Sequence, residues 1–232
     1  MPHTVFVIDG DPRISRIFQE RPDFRLTRFI KNANIIIFPG GPDVSPDLYH
    51  GLQHKNTNWS PKRDKSFLAL YRLVSESNRL KIGICGGGQF LNVMNRGRMF
   101  QDVDNHLGNH EIVYTPYPNE DVKILPLGSK YIVTSTHHQM MIPGTEAELW
   151  GYTERSTFRD LDRHDEKDPR KPSFGPDAEI LFYPRSMSLC FQPHPEYGHK
   201  ETETVFFKCI HRILAKYRVS SIPKYNLIPE GV

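Results

Sequence analysis

Three short apolar runs constrain this chain more than any other feature. They are Val5-Phe6-Val7-Ile8, Ile35-Ile36-Ile37-Phe38 and Ile82-Gly83-Ile84. None alternates polar with apolar, as a strand with one wet face would. Runs of this kind are expected where both faces of a strand are covered, in a mostly parallel sheet flanked by helices. The second run stops at Pro39-Gly40-Gly41-Pro42 and the third leads straight into Cys85. Between them Phe67, Leu70, Tyr71 and Val74 recur at helical spacing, which predicts a crossover helix over 64–74. A second helix is expected over 89–94, beginning directly after the glycines. Beyond residue 100 the texture changes. Strand candidates at 110–114, 122–125, 131–134, 147–151, 179–183 and 188–191 are separated by Pro, Gly and Asn turns, which suits antiparallel pairing. An amphipathic helix over 201–216 follows, with Cys209 on its apolar face. The expected organisation is a single α/β domain over 1–220, with a polar insertion at about 153–177 and a tail at 221–232.

Composition narrows the function classes. The 30 basic and 27 acidic side chains leave a formal charge of +3, and no Lys/Arg cluster marks a nucleic-acid surface. The densest charged stretch, 159–171, mixes both signs. No apolar segment is long enough to span a bilayer, and no leader-like pattern opens the chain. The three cysteines, Cys85, Cys190 and Cys209, lack metal-site spacing and make a poor disulfide framework. A cytoplasmic, reducing location is expected. Adjacent histidines 137 and 138 on a strand would face opposite ways, so no metal site is expected, and no cofactor is expected either.

The stretch from Lys81 to Phe90 places one cysteine between a strand, a run of glycines and a helix. Such an elbow would expose a nucleophile near a helix N-terminus, where unpaired N–H groups favour a thiolate. Two other readings stay open from the local pattern: an inert core cysteine, and a glycine loop cradling an anion. His194 lies between Pro193 and Pro195, which restrict the backbone on both sides. Glu196, two residues on, is placed to accept a hydrogen bond from its ring. A simple surface turn remains the competing reading of this segment.

Taken together, these stretches resemble class I glutamine amidotransferase-like proteins. The resemblance rests on Gly83 to Gln89, on Gln192 to Glu196, and on the loop from Pro39 to Tyr49. Arg63-Asp64, Gln101-Asp102-Val103, His110 and His137-His138-Gln139 are similar to the branch containing γ-glutamyl-γ-aminobutyrate hydrolases, of the peptidase C26 type. The resemblance implies a flavodoxin-like core with additional antiparallel strands. It implies a triad of Cys85, His194 and Glu196, an oxyanion hole from the N–H groups of Gly41 and Gly86, and substrate contacts from Gly40, Gln89, His137, His138 and Gln139.

The function expected from it is a cysteine-dependent glutaminase, cleaving the side-chain amide of glutamine or a γ-glutamyl amine through a γ-glutamyl thioester. A separate synthetase subunit would receive the ammonia. Two alternatives stand beside it: a stand-alone γ-glutamyl peptidase or hydrolase with no synthetase partner, and a non-catalytic binding or regulatory protein that retains the fold.

Overall fold

A computed structural model describes residues 2–115, 128–161 and 175–219. Its strands are β1 (His3–Val7), β2 (Phe24–Leu26), β3 (Ile35–Phe38), β4 (Leu80–Ile84), β5 (Arg98–Phe100), β6 (Asp102–Val103) and β7 (His110–Tyr114). They continue with β8 (Ser129–Val133), β9 (Met140–Ile142), β10 (Glu148–Thr153), β11 (Arg159–Asp160), β12 (Asp177–Tyr183) and β13 (Ser188–Phe191). The helices are α1 (Pro12–Gln19), α2 (Pro61–Val74), α3 (Gly86–Met94) and α4 (Lys200–Lys216).

One large sheet runs in the order β2-β1-β3-β4-β13-β12-β10-β7-β8. The first five strands are parallel and the rest antiparallel. This is the mixed, flavodoxin-like sheet that the sequence predicts. The three apolar runs fall in β1, β3 and β4, and all four residues of β3 are buried. Ile35 and Ile37 face a core completed by α1 and α4, while Ile36 and Phe38 face α2 and α3. A strand wrapped in this way has no wet face, which explains the missing alternation.

The predicted helices are present but displaced at their starts. The first begins at Pro61, three residues early, because Ser60 caps it by accepting from the N–H of Arg63. The helix after Cys85 begins at Gly86 rather than after the glycines, so the glycine run forms its first turn. Helix α1, with Ile14, Ile17 and Phe18 on its buried side, and the short strands β2, β5, β6, β9 and β11 go beyond the elements predicted. The strand expected at 122–125, the middle of the polar insertion and the tail at 221–232 lie outside the described residues. Within the described part of that insertion, β11 pairs with β6.

The parallel strands β3, β4 and β13 end side by side. Their carboxyl ends deliver the Pro39–Gly41 loop, Cys85 and the Gln192–Glu196 segment to one place, as open α/β sheets commonly do.

Candidate functional site

Cys85 occupies a strained elbow, with φ 49° and ψ −116° between β4 and α3. Its N–H donates to the Phe191 carbonyl (2.8 Å), and its carbonyl accepts from the Gln89 N–H (2.9 Å). Strain of this kind persists only where surrounding contacts enforce it. His194 Nδ1 lies 2.7 Å from Glu196 Oε1, and its ring stacks on Tyr197 at 4.4 Å. The Thr134 hydroxyl donates to the His194 carbonyl (2.8 Å) and anchors the segment. His194 and Cys85 flank the same small space over Gly40, where an added Cβ would stand 3.3 Å from His194 Cε1 and 3.5 Å from Cys85 Cβ.

Burial disfavours the imidazolium of His194, but Cys85 and Glu196 outweigh it and hold the pKa up to about 10. The charged ring therefore contributes its full stability below pH 6.5, and that contribution is lost as the pH rises towards about 10. Glu196→Gln removes one of the two supports. It is expected to move the His194 transition down towards the ordinary range, as followed by ring-proton NMR across a pH series. An unshifted transition would show that Glu196 does not stabilise the charged ring.

Arg63 organises the facing loop. Its guanidinium donates to the carbonyls of Pro42 (2.8 Å) and Pro39 (3.2 Å), and Asp64 accepts from the Ser45 N–H (3.0 Å). Gly41, at φ +143°, takes a conformation that side chains disfavour. Gly41, Asp43, Cys85, Gln89, His137 and His138 line a cleft between these loops. Gln89 is nearly buried, and its amide donates to Gln192 Oε1 (3.4 Å), while the Gln192 amide reaches the Cys85 sulfur (3.7 Å). His138 points outward to Asp43 (3.3 Å), which raises its pKa. Gln139 lies outside this lining; it is fully buried and donates to the Thr57 hydroxyl (3.1 Å). Cys190 and Cys209 are buried thiols, and burial pushes Cys209 up to about 12.

His137 turns the other way from His138, into a second polar cluster. Glu179 Oε1 is approached by His106 Nδ1 (3.1 Å), His110 Nε2 (3.1 Å) and His137 Nε2 (3.5 Å). Burial would raise the Glu179 pKa, but the histidines outweigh it and hold it well below the usual range. His106, despite burial, is held up to about 9 by Asp177 and Glu179. The sequence reading expects no such grouping, yet it contains a signal. Glu179 is a charge inside Asp177–Tyr183, a strand whose seven residues are all buried. A buried charge requires partners, and His106 and His110 stand four residues apart before and within β7.

The fold and the loops around Cys85 define a class I glutamine amidotransferase-like domain. The profile of the peptidase C26 family matches residues 17–145, more than half the chain, and the protein belongs to that family. The match takes in Cys85 and stops short of Glu179, His194 and Glu196. The YvdE homolog of Lactococcus lactis subsp. cremoris, a glutamine amidotransferase-like protein, is 32% identical over 152 residues, or 60% of this chain and 74% of that one. YvdE of Lactococcus lactis subsp. lactis strain IL1403 is also 32% identical, over 130 residues covering 50% of this chain and 55% of the relative. The matched region thus spans about half the length of that relative. A glutamine amidotransferase from Thermotoga maritima superposes with a TM-score of 0.55 at 13% identity, covering 95% of this chain and 87% of the other. That likeness carries the fold alone.

These findings correct the functional expectation. Among the described residues, one group of three buried side chains has metal-ligand character, and it is His106, His110 and Glu179, with no cysteine in it. The cysteine-nucleophile glutaminase, with its Cys-His-Glu triad and thioester intermediate, therefore gives way as the main reading. The family matched is a peptidase family, which favours the stand-alone alternative. No described helix is long and apolar enough to cross a membrane.

Proposed function

We propose that the protein is a stand-alone γ-glutamyl peptidase or hydrolase that works on a small γ-glutamyl compound without a synthetase partner. The observation that carries this reading is the peptidase C26 match over the segment that builds the cleft. A γ-glutamyl group would enter between Gly41–Asp43 and His137–His138. In this reading Cys85, His194 and Glu196 border the end of the cleft where the γ-carbonyl would lie, and the N–H groups of Gly41 and Gly86 face the carbonyl oxygen that gains charge. One such donor is worth about 3 kcal/mol at a transition state. Gly40 and Gln89 complete the wall nearest the γ-carbonyl, with Gln139 supporting the far side from behind.

The purified chain alone, given γ-glutamyl amines and glutamine separately, is expected to release glutamate from an amine faster than from glutamine. Cys85→Ala is expected to abolish that release, while Glu179→Gln leaves measurable turnover. Silence on every γ-glutamyl compound would overturn the stand-alone reading. Turnover that survives Cys85→Ala but vanishes in folded Glu179→Gln would move the chemistry to the histidine cluster.

A further inference from the structure

Three imidazole nitrogens converge on one carboxylate oxygen at Glu179, and hydrogen bonding explains only part of the convergence. The His110 contact is an aligned hydrogen bond. His106 Nδ1 and His137 Nε2 have no aligned hydrogen-bond partner among the described residues, and neither does Glu179 Oε2. The far sides of two rings decide where their protons lie. His137 Nδ1 stands 2.9 Å from the Gln139 carbonyl, which only accepts, so its proton is on Nδ1. With that proton on Nδ1, the ring turns its other nitrogen, Nε2, towards Glu179 at 3.5 Å. His106 Nε2 stands 3.3 Å from Asp177 Oδ2 and 3.1 Å from the Ser156 hydroxyl, which holds a proton there. A second proton on His106 would satisfy that ring alone. A lone pair facing a carboxylate oxygen is repulsive unless a cation lies between them.

We propose that His106, His110 and Glu179, with His137 beside them, form a buried site for a divalent transition cation of the zinc class. In a tetrahedral zinc site with metal–ligand bonds of about 2.0–2.1 Å, neighbouring ligand atoms stand about 3.3 Å apart. The three nitrogens lie 3.1, 3.1 and 3.5 Å from Glu179 Oε1. The ring centroid of His106 lies 5.3 Å from that of His110 and 4.8 Å from that of His137. Two imidazoles and one carboxylate suit zinc among the common divalent cations. Asp177 holds the outer nitrogen of His106, as partners behind metal-bound histidines usually do, and the Gln139 carbonyl holds that of His137. His106, His110, His137 and Glu179 are all buried. The site would join β7 to β12, behind the loop carrying His137.

The test uses the full chain without a polyhistidine tag, stripped with a chelator and reloaded with cobalt(II) alone. One cobalt per chain, the intense visible bands of a tetrahedral ion and a raised melting temperature are expected. All three are expected to be lost in Glu179→Gln. Nitrogen NMR of the histidine rings in wild-type protein keeps the proposal testable if that variant does not fold. Zinc is expected to shift the ligating nitrogens of His106 and His110. Failure to bind cobalt, a weak octahedral spectrum, or rings at these two positions that ignore zinc would each overturn the site.

Discussion

Gly87→Ala is expected to destabilise the protein by about 3 kcal/mol, near the upper end of overpacking costs. A Cβ on Gly87 would stand 2.0 Å from the Phe38 carbonyl oxygen, 2.7 Å from its carbon and 2.8 Å from the Pro39 oxygen. These are backbone atoms at the end of β3, so no side chain can swing aside. Relief requires α3 to move away from β3, which also moves Cys85 at the head of that helix. The opposite surface is equally tight, since a Cβ on Gly83 would meet the Gly87 carbonyl oxygen at 2.2 Å. Gly10→Ala is the control. Gly10 has φ +67° but nothing within 4 Å of an added Cβ, so its cost is backbone strain of roughly 1–2 kcal/mol. Urea midpoints at fixed pH measure both. A Gly87→Ala loss no larger than that of Gly10→Ala would mean that the helix start is not held by this contact.

The same glycines show where sequence reading succeeds and where it stops. The parallel sheet is legible because burial on both faces writes itself into consecutive residues, as in Ile35 to Phe38. The helix boundary at Gly86 is not, because glycine is a poor helix former and intrinsic propensity places the start after it. Close packing against Phe38 and Gly83 decides the matter, and that information is tertiary. Likewise, Cys85, His194 and Glu196 are visible as local motifs, and the shared ends of β4 and β13 bring them together. The Glu179 cluster draws on β7, β12 and two loops, separated by up to 73 residues between His106 and Glu179. No short window contains it. Only the two buried acids of β12, Asp177 and Glu179, hint that cationic partners must come from elsewhere.

Glu179→Leu is expected to cost about 3–5 kcal/mol, the range for removing one partner from a buried charged set. Leucine fills much of the space, but His106, His110 and His137 lose the oxygen on which their nitrogens converge. Asp177 still faces His106, whereas the described contacts leave His110 Nε2 with no replacement for Glu179. Glu146→Ala provides the comparison, because its ion pair with Arg185 is exposed on both sides. Such a pair is worth about 0–1 kcal/mol, so this change is expected to leave the urea midpoint nearly unmoved. Equal small losses in the two variants would show that the buried network does not hold β12 to β7. Repeating the measurement with a chelator separates two physical origins. A loss that is the same with and without chelator belongs to the carboxylate and its imidazoles. A loss that shrinks when chelator has already weakened the wild-type protein belongs to a cation held by Glu179.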